Sequence, residues 1–355
     1  MNTRLLFNGW RVTYRPMRNI TSFVVAALSV FCLAPAYAVT FSWATVGNAG
    51  NVGDTEIRLD GTTGYGAVSY SYRIAKHEVT NAQYVEFLNA VAKTDTFDLY
   101  NTSMASSTWG GIERSDSSGS YRYSVKPAAV GQGPGGTDGD DYSYANKPVV
   151  YVSFFDAMRF VNWLENGQPA GVQGPGTTED GVYTIGNGLN EVRKPGARYF
   201  LPSEDEWYKA AYFDLSGRYY DYPTSTDALP NNNLPSTDTG NSANFSTAEF
   251  ATGNFSYPMT DVGAYTLSTS PYGLFDMAGN VIEWNETVMS GIFRVTSGGS
   301  WSDGEDRLRA YYRLSALPTR ETIGTGIRVA SIPEPGAVLM ALIGCAGILW
   351  CMKVK

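Results

Sequence analysis

All three cysteines of this 355-residue chain lie in its two apolar ends, at Cys32, Cys345 and Cys351. The long segment between those ends must therefore fold without a disulfide bond. A chain of this size without disulfides is held together by its hydrophobic core, by bound ions or by both. About 294 residues, 39–332, is a length that a single domain can have, and no segment repeats at the spacing of a solenoid or a propeller.

Residues 1–38 contain the three parts of a secretory signal peptide. Four arginines and no acidic residue come first, and an apolar run of 14 residues follows, from Ile20 to Leu33. Ala36-Tyr37-Ala38 then provides a cleavage site of the small-x-small type. Because the apolar run is too short to span a bilayer permanently, we predict export with cleavage after Ala38.

A turn, a short apolar stretch and a basic tip close the chain over residues 333–355. The turn is Pro333-Glu334-Pro335, and the tip carries Lys353 and Lys355. This arrangement resembles the PEP-CTERM sorting signal of Gram-negative bacteria. The resemblance implies transient anchoring in the inner membrane, cleavage by an exosortase and release to the cell envelope or extracellular matrix. The alternative, a plain single-pass anchor, implies the same compartment.

Residues 39–332 form the predicted globular body, which is acidic. Six of the 26 basic residues lie in the ends, which leaves 20, and 33 of the 34 acidic residues remain. The resulting net charge near −13 argues against nucleic acid or an anionic membrane as a partner. It favours the binding of cations.

Capping signals mark the start of three predicted helices. Each is a capping box, in which a serine or threonine is followed three residues later by a side chain that can bond back to the helix start. The pairs are Thr80 with Gln83, Ser153 with Asp156, and Ser203 with Glu206. Short strands are predicted at 70–78, 149–152, 198–200, 293–298 and 326–330. Long loops, including 115–145 and 217–242, fill much of the rest. The predicted class is therefore α+β, with a few helices on a small, irregular antiparallel sheet.

Six segments occur in the order typical of one protein family. They are 76–84, 148–157, 201–207, 273–284, Gly298-Gly299-Ser300-Trp301 and 326–329. Together they resemble the sulfatase-modifying factors, a family that includes the formylglycine-generating enzyme, over about residues 46–331. The resemblance implies a C-type-lectin-like variant fold that is poor in regular structure and stabilised by calcium.

The first predicted calcium site consists of Asp276, Gly279, Val281 and Glu283. Two carboxylates with two backbone carbonyls between them can surround a hard cation that takes six to eight oxygen ligands, and the matching family positions bind calcium. The alternative is a solvated turn in which Glu283 caps a neighbouring backbone.

A second predicted calcium site rests on the resemblance alone. The matching residues are Asn244, Phe245, Asn254 and Ser256, with a shorter intervening loop than the family pattern has.

The residues that formylglycine generation requires are missing. By the resemblance, two cysteines five residues apart hold copper, and the matching positions here are Leu308 and Arg313. Neither side chain ligates Cu(I), which takes soft thiolate ligands. Iron-dependent relatives such as the sulfoxide synthases use a histidine cluster, whereas His77 is the only histidine of this chain. We therefore expect neither copper nor iron to bind, and no catalytic residue is assigned.

Aromatic and charged residues crowd the segment where the family's active cleft would lie. The candidate ligand-binding residues are Trp301, Asp303, Arg309, Tyr312 and Arg313. Rings interleaved with arginine and aspartate can stack on sugars, bond hydroxyl groups or grip a peptide. The alternative is that half of the aromatic residues belong to the core and that the arginines pair with nearby acidic groups.

Three functions remain open from the sequence. The first is a non-catalytic binding module for polysaccharide or protein in the envelope or matrix. The second is a formylglycine-generating or other oxygen-dependent modifying enzyme with an altered active site, in which Asp303 and Tyr312 supply ligands. The third is a passive structural matrix protein.

Overall fold

The computed structural model describes residues 38–133, 141–247 and 249–333. A compact unit begins at Val39. The predicted signal peptide, apart from Ala38, and the predicted sorting tail, apart from Pro333, lie outside the described residues. Among the residues described, no helix has the length and apolar character needed to cross a bilayer.

Four α-helices lie in the described residues, and three of them begin where the sequence predicts. Each of those three starts with a capping box, in which the N-cap side chain accepts a hydrogen bond from the backbone N–H three residues on. The helices are α1 (Asn81–Val91), α2 (Ser103–Ser106), α3 (Phe154–Glu165) and α4 (Glu204–Tyr212). The single turn α2 has no side-chain cap, and two 3-10 turns lie at Pro235–Thr237 and Glu305–Leu308.

Ten short strands form two four-stranded sheets and one hairpin within the described residues. They are β1 (Trp43–Val46), β2 (Tyr72–Ala75), β3 (Ile112–Ser115), β4 (Arg122–Val125), β5 (Tyr199–Phe200), β6 (Ile282–Met289), β7 (Phe293–Ser297), β8 (Leu314–Ala316), β9 (Thr325–Gly326) and β10 (Ala330–Ser331). The sheet orders are β1-β2-β10-β5 and β8-β7-β6-β9, and β3 pairs with β4. The pair β6 and β9 is parallel, and the other strand pairs described are antiparallel.

Three predictions about the strands and loops are wrong. The predicted strand 326–330 is divided into β9 and β10, which belong to different sheets, and residues 327–329 form no strand. Residues 149–152 form no strand, because Tyr151 has a φ of 62° and left-handed backbone interrupts a β-ladder. Their N–H groups instead bond to separate segments, that of Val149 to Val79 and that of Tyr151 to Thr322. The predicted loop 115–145 contains β4, which completes the hairpin with β3.

The helices pack their apolar faces against the strands to form the main core. Phe87 of α1 lies edge-on to Phe160 of α3, with 5.3 Å between ring centroids, and Trp163 packs against both rings. α3 contacts β5, and α4 contacts β6 and β7. Burial of each such large side chain contributes about 1.5–3 kcal/mol. The packing of α4 against β6 places the helix beside the first predicted calcium site.

Candidate functional site

The carboxylate of Glu283, in β6, is fully buried and fully engaged by protein donors. Nε of Arg328 donates to both carboxylate oxygens at 2.9 Å, and Nη2 donates to Oε1 at 2.7 Å. Nε1 of Trp207 donates to Oε2 at 2.6 Å. The arginine also donates to the backbone oxygens of Ala75 and Phe275. A calcium ion at Glu283 must therefore compete with a buried guanidinium, so this carboxylate does not fit the role of a free calcium ligand.

Asp276, the other carboxylate of the first predicted site, is also buried. Its Oδ2 accepts a hydrogen bond of 2.6 Å from the backbone N–H of Gly263, and burial raises its pKa. Glu78 lies close to Asp276 and was not predicted from the sequence; its side chain is buried, with 1% exposed. Its Oε1 accepts from Asn280 at 3.2 Å, and its Oε2 is buried without a partner. Burial and the neighbouring Asp276 raise the pKa of Glu78.

Asn244, in the second predicted calcium site, has a buried oxygen that no donor satisfies. Its Nδ2 donates to the backbone oxygen of Pro258 at 2.9 Å and to Oδ1 of Asn280 at 3.1 Å, whereas its own Oδ1 has no partner. Such an oxygen costs free energy unless another group satisfies it. Calcium takes amide oxygens as ligands, so Asn244 fits the predicted role.

The other residues of the second site have mixed surroundings. Phe245 is buried in a small apolar cluster, and its backbone oxygen is the predicted ligand. Oδ1 of Asn254 accepts a hydrogen bond of 3.0 Å from the N–H of Ser256. The carboxylate, thiol and imidazole groups of the described residues do not converge in threes as a metal-binding group. Because both predicted sites also use carbonyl or amide oxygens, calcium binding stays a prediction.

The two predicted sites are joined through Gly279. Its φ is 78°, and a Cβ at this position would lie 2.1 Å from the backbone oxygen of Asn244. That same oxygen accepts a hydrogen bond of 2.7 Å from the N–H of Asn280. Only glycine allows this close approach of two backbones. The backbones of the two predicted sites are therefore in direct contact.

The positions matched to the family's copper-binding cysteines have different surroundings. Leu308 is fully buried and packs in the small apolar cluster with Phe245 and Tyr222. Arg313 makes two bonds to Glu204, at 2.9 and 2.8 Å, and one to Asp60 at 3.0 Å. Leu308 has no polar side-chain atom, and the cationic Arg313 is taken up by ion pairs.

Most side chains of the candidate ligand-binding segment are engaged within the protein. Trp301 is 0% exposed, and its Nε1 donates to a backbone oxygen. Asp303 accepts from the N–H and hydroxyl of Ser300 at 2.9 and 2.7 Å, and Arg309 pairs with Asp221 at 2.8 Å. This matches the alternative of core aromatics and paired arginines. Ligand binding by the segment stays a prediction. Half-buried side chains such as Tyr312 are the ones that remain available to a ligand.

His77 stacks on Phe275, with 5.1 Å between ring centroids and 11° between ring planes. Burial, together with the nearby charge of Arg328, lowers the pKa of His77 to about 4. The imidazole is therefore neutral at physiological pH. Its surroundings are those of a packed side chain.

The few helices, the small irregular sheets and the long loops define a C-type-lectin-like fold of the sulfatase-modifying-factor type. The chain is similar in structure to Treponema denticola variable protein 1, with a TM-score of 0.51 and 18% sequence identity over 83% of this chain and 96% of that one. The sulfatase-modifying factor enzyme 1-like domain matches residues 54–332. The chain belongs to this family.

Curated relatives share the domain within longer proteins. A serine/threonine-protein kinase pkn1 of Chlamydia pneumoniae is 24% identical over 297 residues, which cover 78% of this chain and 36% of the relative. A hercynine oxygenase of Mycolicibacterium thermoresistibile is 32% identical over 210 residues, which cover 52% of this chain and 36% of the relative. The chain thus spans about a third of the length of these relatives.

Proposed function

We propose that this protein is a non-catalytic member of its family that is exported and binds polysaccharide or protein in the cell envelope or matrix. The main support is the replacement of the copper-binding pair. Leu308 fills an apolar cluster and Arg313 is held by Glu204 and Asp60, whereas Cu(I) needs soft sulfur donors. Residues 39–332 contain no cysteine that could take over this role.

The alternative is an oxygen-dependent modifying enzyme with an altered active site, and the similarity to a hercynine oxygenase favours it. Such an enzyme needs a different set of metal ligands, because His77 is the only histidine of the chain. Asp303 and Tyr312 are the candidates in the family's cleft. The carboxylate of Asp303 is already bonded to Ser300 and paired with Arg307 at 2.8 Å, which makes it a poor candidate.

The two terminal segments support the proposed location. The basic and apolar leader of residues 1–38 favours export, and the Pro333-Glu334-Pro335 tail favours sorting by an exosortase. An acidic body near −13 suits a partner other than nucleic acid.

Calcium is the proposed bound ion, and its purpose is structural. Asn244 is the best supported ligand because of its unsatisfied buried oxygen, with Phe245, Asn254 and Ser256 as the other members of that site. An ion that binds only the folded state stabilises it by mass action. The calcium ion would link the loops that supply its oxygen ligands.

The proposal is tested by oxygen uptake. The purified protein is incubated with a cysteine peptide of the sulfatase type, with added copper or iron, and an active formylglycine-generating enzyme serves as the positive control. We expect uptake at the level of the buffer blank. Turnover of the peptide above that blank overturns the proposal and supports the enzyme alternative.

A further inference from the structure

A groove opens beside the N-terminal end of α3, with a cavity volume of about 270 Å³. Phe97, Phe155, Asp98 and Glu321 line it together with residues of the α3 start. Across Gly186 it meets a shallower hollow of about 370 Å³, which carries Thr184, Asn187 and Asn190. We call the two hollows together the α3 groove. Residues of the 301–313 segment do not line it.

Phe97 offers a flat apolar surface in the α3 groove. The side chain is 39% exposed, and the guanidinium of Arg159 lies 4.5 Å from the ring centroid. The part of the ring that stays exposed is open to a ligand in the groove. An exposed ring face is what packs against the C–H groups of a sugar, since aromatic rings carry both a large apolar area and a rigid shape.

The carboxyl and amide groups of the α3 groove lie apart from one another along it. Asp98, Asp156 and Glu321 face it, yet no three acidic, thiol or imidazole groups of the described chain converge as a metal-binding group. Asn187 and Asn190 are exposed amides on the adjoining hollow. Separated carboxyl and amide groups beside an aromatic ring suit a ligand with many hydroxyl groups.

The charges of the α3 groove argue against an acidic ligand. Its arginine, Arg159, is already held by two bonds to Glu179, at 2.8 and 3.0 Å. A cationic ligand is also less suited than a neutral one. Oδ2 of Asp156 already accepts two hydrogen bonds from Ser153, at 2.8 and 2.6 Å, and Oε2 of Glu321 accepts one from an asparagine, so two of the three carboxylates are engaged within the protein.

We infer that the α3 groove binds a neutral polysaccharide, with Phe97 against a sugar ring and with Asp98 and Glu321 accepting hydrogen bonds from sugar hydroxyls. This inference rests on the proposed binding function and names its ligand class. It places the ligand in the α3 groove and not in the 301–313 segment.

The test measures binding of the purified protein to dextran, mannan and cello-oligosaccharides by affinity electrophoresis and calorimetry. Alginate supplies an acidic comparison and chitosan a cationic one. Phe97→Ala and Asp98→Asn are the groove variants, and Leu215→Ala is the matched control, because Leu215 is 74% exposed and lies outside the groove. We expect at least about tenfold weaker binding of one neutral polymer for Phe97→Ala, a smaller loss for Asp98→Asn and no change for the control.

Several results contradict the inference. They are equal binding by Phe97→Ala and the unchanged protein, a preference for alginate or chitosan, and no binding to any polymer. Asp98→Asn keeps the test valid if Phe97→Ala fails to fold, since Asp98 is an exposed side chain. Loss of binding only in Tyr312→Ala refutes the groove and leaves the proposed function standing. Oxygen turnover, which is measured separately, refutes the proposed function itself.

Discussion

Replacement of Arg328 by methionine tests the buried ion pair of the site. The change removes the guanidinium that neutralises Glu283, while both residues are 0% exposed. It also leaves the carbonyl oxygens of Ala75 and Phe275 without that donor. Removal of one partner of a buried ion pair costs about 3–5 kcal/mol, because the remaining charge is uncompensated. A domain with about 5–15 kcal/mol of total stability loses much of it.

The assay is equilibrium unfolding in urea, followed by tryptophan fluorescence. We expect Arg328→Met to lower the free energy of unfolding by about 3–5 kcal/mol, and Arg328→Met combined with Glu283→Gln to recover part of the loss. Arg218→Met is the matched control. Arg218 pairs with Asp227 on the surface, where both side chains are about half exposed, so its unfolding midpoint stays nearly unchanged.

Measurements with and without calcium distinguish Glu283 as the ion-pair partner of Arg328 from Glu283 as a calcium ligand. The pairing with Arg328 predicts a large loss for Arg328→Met in the presence of a chelator. A loss below about 1 kcal/mol under those conditions refutes the reasoning, since the charge of Glu283 then has another counter-charge or reaches water. A gain in stability with millimolar calcium that is larger in Arg328→Met than in the unchanged protein indicates that the ion and the arginine compete for Glu283.

Three further predictions concern the same region. In an NMR titration of protein without a histidine tag, we expect the imidazole of His77 to show a pKa of about 4, and a pKa near 6.5 contradicts the packing. Because the folded pKa lies below the unfolded value of about 6.5, the stability that this group contributes is present above pH 6.5 and is lost as the pH falls toward 4. Gly279→Ala lowers the free energy of unfolding by about 3 kcal/mol through its clash with Asn244, and a change below about 1 kcal/mol in urea unfolding disproves that contact. Chelation of calcium lowers the melting temperature by about 5 °C in the unchanged protein but not in Asn244→Ala, and identical melting curves with and without chelator remove the calcium proposal.

Helix starts were predictable because their signals are local. Thr80, Ser153 and Ser203 each form a bond within three residues, so the sequence contains both partners. The strands were less predictable, since several are buried on both faces. β6 buries Glu283, Trp284 and Asn285 in succession, and a strand of this kind lacks the alternation that marks a half-buried one.

The site was predictable only where its residues are close in sequence. The run from Asp276 to Glu283 is a local pattern, whereas the partner of Glu283 is Arg328, 45 residues away. Phe97 and Glu321 face one groove from distant segments of the chain. The burial of Trp301 depends on Trp109, Phe250 and Phe255, whose rings surround it. Such contacts follow from the tertiary fold and have no counterpart in a short motif.

The metal content of the purified protein tests the central claim most directly. Elemental analysis by mass spectrometry, after overexpression with copper and iron supplied, gives the moles of each metal per mole of protein. The unsatisfied oxygen of Asn244 predicts calcium as the stoichiometric metal. Residues 39–332 contain no cysteine and one histidine, which predicts copper and iron at trace levels. About one copper or iron per protein molecule, retained through dialysis, contradicts the account of a non-catalytic binding module.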